Sequence, residues 1–205
     1  MSFYEERILP HVINFACGMK PIGQQREKVV PHARGRVLEI GMGSGLNLPY
    51  YNRDQVEFVW GLEPSQGMRR RAQKNIATSN MDVRWLDLPS ETIPLDDNEA
   101  DTIVLTYTLC TIPDWLTALG EMRRVLKPGG AMYFSEHGLA PEPSVQRWQK
   151  RLAPAWRKIG GGCNPDRNIP LLLEQGGFKL PSLEQSYIPG PKFASYHYWG
   201  KAKAG

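Results

Sequence analysis

The stretch Arg36-Val-Leu-Glu-Ile-Gly-Met-Gly-Ser-Gly45 decides the fold class of this 205-residue chain, because an apolar strand runs directly into three alternating glycines. Gly41, Gly43 and Gly45 lack a Cβ, so the backbone can turn sharply after the strand and present N–H groups to a ligand. An acid, Glu39, precedes the first glycine by two residues. We predict a binding loop for a small ligand at this strand end.

Strands and helices alternate outward from this loop. Apolar segments with strand character lie at 56–63, 82–86, 101–106 and 131–136. A helix or a broken turn is expected around Pro49. Ser65 can cap a helix that runs to Asn75, and Asp114 can cap a second helix that ends before Gly130. This alternation predicts an α/β domain with a Rossmann-like, mostly parallel sheet and helices on both faces.

The C-terminal part predicts an antiparallel hairpin that brings the sheet to seven strands. A short helix at 170–175 ends at a Gly-Gly pair, and two aromatic-rich segments, 183–188 and 193–201, flank the turn signal Pro189-Gly190-Pro191. We expect one domain over 1–205, divided into an N-terminal helical cap (1–34), a ligand-binding core (35–137) and a region of further helices and the hairpin (138–205).

The helical cap is predicted from apolar residues at helical spacing. Pro10 indicates a kink or a late helix start, and a second short helix is expected over 24–31. The apolar residues at that spacing are Tyr4, Ile8, Val12, Phe15 and Met19.

Composition limits the partners and the compartment. The net charge of +4 is modest and no run of like charge resembles a nucleic-acid-binding tail, so nucleic acid is disfavoured as a partner. Three scattered cysteines argue against a disulfide framework, and the first twenty residues lack the apolar core of a signal peptide or a spanning helix. We therefore expect a cytoplasmic location. The oligomeric state does not follow from the sequence.

The predicted ligand is a nucleoside with positive charge. In an open α/β sheet the segments after the strands converge on the ligand, and Glu63 ends the second strand, where a carboxylate can accept bonds from a ribose diol. A dinucleotide fingerprint would need its third glycine at position 46, which is Leu46. Glu39 would repel a phosphate and suits an amino group.

These residues resemble the class I S-adenosylmethionine-dependent methyltransferases. Residues 37–45 resemble the family's first motif, Gly61-Leu-Glu-Pro-Ser65 the second, and Arg124-Val-Leu-Lys-Pro-Gly-Gly130 the turn before strand five. The resemblance implies S-adenosyl-L-methionine as cofactor, with the three glycines on its methionine portion, Glu63 on the ribose, Leu88 to Ser90 near the adenine and Thr106 near the methionyl end. The cofactor-binding residues expected in this way are Glu39, Gly41, Met42, Gly43, Gly45, Asn47, Glu63, Pro64, Ser65, Met68, Leu88, Pro89, Ser90, Thr106 and Tyr107.

A narrower resemblance concerns the acceptor. Thr108-Leu-Cys110, Glu136-His137, Trp148, Pro154-Ala-Trp156 and Gly162-Cys-Asn164 resemble, in that order, the methyltransferase-like thiol S-methyltransferases. We expect no counterpart here of the membrane-anchoring N-terminal segment of the animal members.

The acceptor is expected to be a small molecule, with a thiol favoured. A neutral imidazole can take the proton of a thiol, and His137 is the candidate for that role, although a loop-ordering histidine is the alternative. Cys110, His137 and Trp156 are the candidate substrate residues. The cysteines and histidines lack the short paired spacings of a zinc site, so no metal is expected.

Residues 145–159 form a basic amphipathic helix, with Val145, Trp148, Leu152, Ala155, Trp156 and Ile159 on one side. It can dock on the sheet with its charges in water or contact anionic lipid headgroups at a membrane surface. The alternatives left open are a phospholipid or quinone-type acceptor, a nicotinamide-dependent oxidoreductase, a non-catalytic nucleotide-binding module and a nucleic-acid methyltransferase.

Overall fold

The computed structural model describes residues 8–205 and contains a seven-stranded sheet. The strands are β1 (Gly35–Ile40), β2 (Val56–Leu62), β3 (Val83–Leu86), β4 (Ala100–Thr106), β5 (Leu126–His137), β6 (Phe178–Tyr187) and β7 (Tyr196–Ala204). Their order is β3-β2-β1-β4-β5-β7-β6; β7 runs antiparallel to β5 and to β6, and the other pairs are parallel. The predicted fold class and terminal hairpin are confirmed.

Six α-helices surround this sheet within the described residues. They are α1 (Leu9–Cys17), α2 (Lys20–Val29), α3 (Gln66–Ser79), α4 (Trp115–Val125), α5 (Pro143–Ile159) and α6 (Ile169–Gln175). A kink or a late helix start is predicted at Pro10; in the described residues α1 begins at Leu9 and has Pro10 in its first turn, where no amide donor is needed. Short 3₁₀ turns occupy Val30–His32 and Leu48–Tyr50, the second of which is the broken turn expected around Pro49.

Local side-chain chemistry explains the helix starts after the strands. Ser65 and Asp114 each accept a backbone N–H of the first turn, from Met68 and Thr117 respectively, as the sequence predicts. Helix α3 runs four residues beyond the predicted end at Asn75, because the left-handed residue that terminates it is Asn80. Strand β5 starts at Leu126, five residues earlier than predicted, directly after α4.

The core lies on both faces of the sheet, and the central strands are mostly apolar for that reason. One cluster packs α4 and α6 against β4 and β5 through residues such as Leu105, Leu119, Met122 and Phe134, all with no exposed surface. The other packs α2 against the opposite face, where Lys28 lies over the ring of Trp199 at 3.6 Å. Both faces of β1 and β4 are therefore covered, as parallel strands require.

Helix α5 is anchored by a polar residue that hydrophobic periodicity does not detect. Gln149 is fully buried; its side-chain oxygen accepts from Ala140 N–H, and its amide donates to the carbonyls of Gly138, Pro165 and Phe193. The buried face of α5 is centred on Gln149 and Ala153. The predicted apolar arc is therefore wrong in part, since Trp148 and Ile159 are each 57% exposed.

The apolar stripe predicted on the cap also faces outward. Ile8, Val12, Phe15 and Met19 are exposed, and Phe15 retains 76% of its surface. Tyr4, the first residue of that pattern, lies outside the described residues. The side of α1 that turns inward carries Ile13, Asn14 and Cys17 instead. Within residues 8–205, none of the helices combines the length and the apolar character that crossing a bilayer demands.

Candidate functional site

The glycine loop leaves the carboxyl end of β1 in a conformation that side chains resist. Gly41, Gly43 and Gly45 have φ of +65°, +59° and +75°. A Cβ at Gly41 would lie 2.5 Å from Cγ2 of Thr108, and one at Gly45 2.9 Å from Leu48. The alternation of glycine in the sequence is thus explained by left-handed backbone and close approach. The loop lies at the carboxyl end of β1, where the sequence predicts a ligand, but the N–H groups of its three glycines are already bonded within the protein, to the Leu62 carbonyl, the Glu63 carboxylate and the Met42 carbonyl.

Glu63 holds this loop to the next strand. Its Oε2 accepts the N–H of Gly43 at 2.9 Å, and its Oε1 accepts the N–H of Ser65 at 2.8 Å. The residue is 8% exposed, and burial raises the pKa of its carboxyl group against the lowering effect of the two N–H bonds. Each oxygen keeps a further lone pair, so the carboxylate can still accept from a diol.

Glu39 lies at the floor of the site, within a buried polar network. Its Oε1 accepts from Asn47 Nδ2 at 2.9 Å, and its Oε2 accepts from Tyr51 Oη at 2.6 Å. Asn47 also donates to Thr106 Oγ1 at 2.9 Å, and its Oδ1 accepts from Nε of Arg26 at 2.9 Å. Three residues predicted from the sequence, Glu39, Asn47 and Thr106, therefore meet in one network.

Protonation of Glu39 links this network to stability. Burial raises the pKa of its carboxyl group from 4.5 to about 7. The folded state then holds the proton more tightly than the unfolded chain, so this contribution is complete below pH 4.5 and is lost as pH rises through 7. We expect the free energy of unfolding of the ligand-free protein to fall by about 3 kcal/mol across that window, relative to Glu39→Gln.

Denaturant unfolding at a series of pH values measures this difference. The matched control is Glu57→Gln, which removes an exposed acid from strand β2 and should reproduce the wild-type pH dependence. If the wild-type and Glu39→Gln curves run parallel from pH 4.5 to above 7, Glu39 keeps an ordinary carboxyl pKa in the fold.

Arg26 is a site residue that the sequence analysis missed. It comes from α2, is 5% exposed, and donates through Nη1 to the carbonyl of Cys17 at 2.8 Å. Its guanidinium lies 5.0 Å from the ring centre of Tyr107, a non-glycine residue with φ of +54° at the end of β4. Strained backbone at such a position is typical of functional sites. Hydrophobic spacing gives no signal for a buried arginine, so only the structure identifies Arg26.

A cleft joins these residues, and we call it the glycine-loop cleft. Residues of the N-terminal cap line this cleft on one side, and residues at the carboxyl ends of β1 and β4 line it on the other. Glu63, Pro64, Ser65 and the 88–90 turn are not among its described lining residues; Leu88 is 38% exposed beyond β3. The lining comprises Ile13, Asn14, Cys17, Arg26, Glu39, Gly41, Met42, Gly43, Ser44, Leu46, Asn47, Met68, Thr106 and Tyr107.

A second group of residues lies just past the cleft, and we call it the cysteine–histidine cluster: Cys110, His137 and Cys163. Their ligand atoms Sγ, Nε2 and Sγ all lie within 4.8 Å of one another, and His137 Nε2 is 3.0 Å from Cys163 Sγ. Trp156 Nε1 donates to Cys163 Sγ at 3.4 Å. The candidate substrate residues Cys110, His137 and Trp156 are thus brought together, whereas Trp148 of the same motif is on the surface.

The three ionisable groups of this cluster affect one another. Hydrogen bonding from the Cys110 thiol, together with the charge of His137, outweighs burial and lowers the pKa of Cys163. Conversely, the bond to Cys163 and burial raise the pKa of Cys110. Burial, the largest single effect, lowers the pKa of His137, but the charge of Cys163, the hydrogen bond to it and the charge of Glu136 together outweigh burial, so the net shift is upward. The opposite shifts of the Cys163 and His137 pKa values therefore both follow from the contact between these two groups.

The proteins that match this chain in sequence are methyltransferases. Residues 38–134 match a family model described as a methyltransferase domain. The thiol S-methyltransferase TMT1B of Rattus norvegicus is 32% identical over 176 residues, which cover 81% of this chain and 69% of that protein. A phosphatidylethanolamine N-methyltransferase of Cereibacter sphaeroides is 31% identical over 161 residues, covering 73% and 74% of the two chains.

Solved structures share the fold at lower identity. A SAM-dependent methyltransferase from Aquifex aeolicus superimposes with a TM-score of 0.64 at 18% identity and covers 98% of both chains. A SAM-dependent methyltransferase from Leishmania major gives a TM-score of 0.71 at 18% identity over 98% of this chain and 80% of that one.

Proposed function

Because this chain belongs to the class I S-adenosylmethionine-dependent methyltransferases, we propose that it transfers a methyl group to the thiol of a small-molecule acceptor. The observation that carries the choice of acceptor is the cysteine–histidine cluster beside the glycine-loop cleft, where a soft nucleophile can be held and deprotonated. The 32% identity to a thiol S-methyltransferase supports the same acceptor class.

The residues of the glycine-loop cleft fit S-adenosylmethionine. Left-handed glycines keep the space above the loop free of side chains, and Glu63 retains acceptor capacity for a ribose diol. Glu39 would hold the amino group of the methionyl portion, and Arg26 would offer positive charge to its carboxylate, since both residues line the cleft. When bound, the cofactor supplies an electrophilic methyl group on a sulfonium.

The protein's own residues bind and align the two reactants and exclude water from them. In-line displacement needs the acceptor sulfur held on the far side of the methyl group, and alignment of this kind is worth several kcal/mol. The inward side of α1 lines the cleft with Ile13 and Cys17. Trp156, at 5.4 Å from the ring of Phe193 in an edge-on contact, provides an apolar wall on the acceptor side.

The acceptor thiol must also lose its proton, because the thiolate is the nucleophile. We assign proton uptake to His137, whose Nε2 already faces a sulfur atom at 3.0 Å. Cys163 occupies in the structure the place relative to His137 that the acceptor sulfur would take. Glu136, which accepts the N–H groups of Thr108 and Leu109 at 2.6 and 3.0 Å, fixes the loop that carries Cys110.

A methyl-transfer screen with isotope-labelled cofactor tests the proposal. Small alkyl thiols are compared with their alcohol analogues, with phosphatidylethanolamine vesicles and with a reduced quinone, and products are identified by mass spectrometry. We expect S-methylated thiols and no labelled alcohols, since a thiol is far more acidic than an alcohol. Heat-treated protein controls for uncatalysed transfer.

Transfer to the lipid amine alone would replace the proposal by a second candidate, a phospholipid N-methyltransferase. Two observations favour that candidate: the 31% identical phosphatidylethanolamine N-methyltransferase, and the exposed apolar side chains of α1 beside the basic helix α5. Cofactor binding without transfer to any acceptor class would contradict both.

A further inference from the structure

We propose that Cys110, His137 and Cys163 form a binding site for a soft divalent metal ion, with Zn²⁺ preferred, and that its open fourth position takes the acceptor thiolate. The second half rests on the function proposed above. The metal site itself rests on the placement of three ligand atoms within 4.8 Å of one another.

The donor set is that of a catalytic zinc centre. Two thiolates and one imidazole bind Zn²⁺ in tetrahedral geometry and leave one position for water or substrate. Such geometry separates neighbouring sulfur and nitrogen ligands by about 3.5–3.8 Å, so side-chain movements of about an ångström would close the present arrangement around an ion. Carboxylates are absent from the set, which disfavours Mg²⁺ and Ca²⁺.

The backbone that carries the ligands is clamped in place. Asn164, next to Cys163, donates through its backbone N–H at 3.0 Å and through Nδ2 at 2.9 Å to the carbonyl of Cys110. Arg167 donates to the carbonyls of Leu109 and Ile112 from the same segment. The two cysteine loops are thus tied together by bonds that do not involve either sulfur. Pre-positioned ligands of this kind are what a metal site requires.

Unpartnered polar atoms beside the cluster provide an independent observation. Among the described residues, His137 Nδ1, Glu136 Oε2 and His197 Nε2 are buried without a hydrogen-bond partner. The rings of His137 and His197 are 6.3 Å apart. With Nε2 of His137 on the metal, the ring proton resides on Nδ1 and requires an acceptor, which a water molecule bridging to His197 Nε2 would supply.

Binding of the metal ion displaces protons from its ligands. Binding of one M²⁺ releases the thiol protons of Cys110 and Cys163 to solvent, while His137 binds through the lone pair of Nε2. An acceptor thiol that takes the fourth position loses its own proton to solvent, because a coordinated thiol is deprotonated. The metal would then perform the task assigned above to His137 in the metal-free protein.

Metal analysis of the purified protein tests the site without reference to activity. The full chain is produced in zinc-supplemented medium, purified without chelators and measured by inductively coupled plasma mass spectrometry. We expect about one zinc per chain in the wild type and below about 0.1 in Cys163→Ser and His137→Gln, since loss of a ligand weakens binding by well over 100-fold. Cobalt substitution should give sulfur-to-cobalt charge-transfer absorption and intense tetrahedral d–d bands.

Cys17→Ser is the matched control, because Cys17 is the third cysteine and lies outside the cluster. It should retain the full metal content. Wild-type protein that neither contains zinc nor binds cobalt overturns the proposal, as does loss of metal in Cys17→Ser equal to that in Cys163→Ser. A Cys110–Cys163 disulfide that persists in reducing buffer also overturns it.

The outcomes separate this proposal from the proposed function. Stoichiometric zinc without thiol methylation would leave the metal site intact and refute the thiol acceptor. Thiol methylation that survives complete zinc removal would retain the function and refute the role of the metal. If both hold, chelation should reduce thiol methylation at least about 10-fold while calorimetry shows unchanged cofactor binding.

Discussion

Glu63→Ala is expected to weaken S-adenosylmethionine binding by at least about 100-fold, or roughly 3 kcal/mol, because it removes charge-assisted hydrogen bonds from a buried position. The carboxylate accepts two backbone N–H groups and is proposed to accept the ribose diol as well. Its loss leaves the N–H groups of Gly43 and Ser65 without their partner and the diol without an acceptor. Isothermal titration calorimetry gives the affinity directly.

Two comparisons distinguish the loss of a ribose contact from a loosening of the glycine loop in Glu63→Ala. Glu57→Ala removes an exposed acid from the same strand and should bind the cofactor as the wild type does. Removing the 2′-hydroxyl from S-adenosylhomocysteine should weaken its binding to the wild type but hardly alter its binding to Glu63→Ala. An affinity of Glu63→Ala within threefold of the wild type would sink the assignment of Glu63 to the cofactor.

Gly41→Ala is expected to lower the free energy of unfolding by about 3 kcal/mol, from left-handed backbone strain and overpacking together, and to abolish measurable cofactor binding. The added methyl would press on Thr108, which cannot turn away freely. The single hydroxyl proton of Thr108 is shared between the carbonyls of Ile40 and Thr106, both 3.1 Å from Oγ1, so a rotamer change would break the bond that ties the segment after β4 to β1. Denaturant unfolding and calorimetry measure the two effects.

Gly120→Ala is the control for a glycine-to-alanine change in this chain. A Cβ at this position in α4 meets no atom within 4 Å, and alanine is the better helix former. The substitution should stabilise the protein by about 0.5–1 kcal/mol and leave cofactor binding unchanged. Equal stability of Gly41→Ala and the wild type would show that the loop relaxes around the methyl group.

Much of the fold could be predicted from the sequence because its signals are local. Apolar runs mark the buried strands, Ser65 and Asp114 mark helix starts, and Gly176-Gly177 marks the end of α6. Element boundaries were less certain. Strand β5 starts five residues earlier than predicted, since the Lys127-Pro-Gly-Gly130 turn is accommodated within the strand as defined by its pairing.

The helix faces were harder to predict than the helices themselves. Periodicity assigns the inward face of a helix by counting apolar residues, and it selected Phe15 on α1 and Trp148 on α5, both of which are exposed. Gln149 anchors α5 through four hydrogen bonds to three separate segments, and that geometry has no signature in hydrophobic spacing. Arg26 was missed for the same reason.

The expectation of no metal stays a prediction, and the sequence argument behind it has the same limit. It was argued from spacing along the chain, where a metal site is detectable when its ligands come in short pairs. Cys110, His137 and Cys163 are instead separated by 27 and 26 residues and come from three loops or strand ends. Their meeting depends on the parallel pairing of β4 with β5 and on the clamp from Asn164 and Arg167.

The sequence by itself determined the α/β fold, the glycine loop after β1, the acid after β2 and the class of cofactor. These depend on backbone conformation and on hydrogen-bonding groups within a few residues of one another, which local sequence encodes. The tertiary structure alone decided that Cys110, His137, Trp156 and Cys163 lie together, because these residues are far apart in the chain and meet only through long-range contacts.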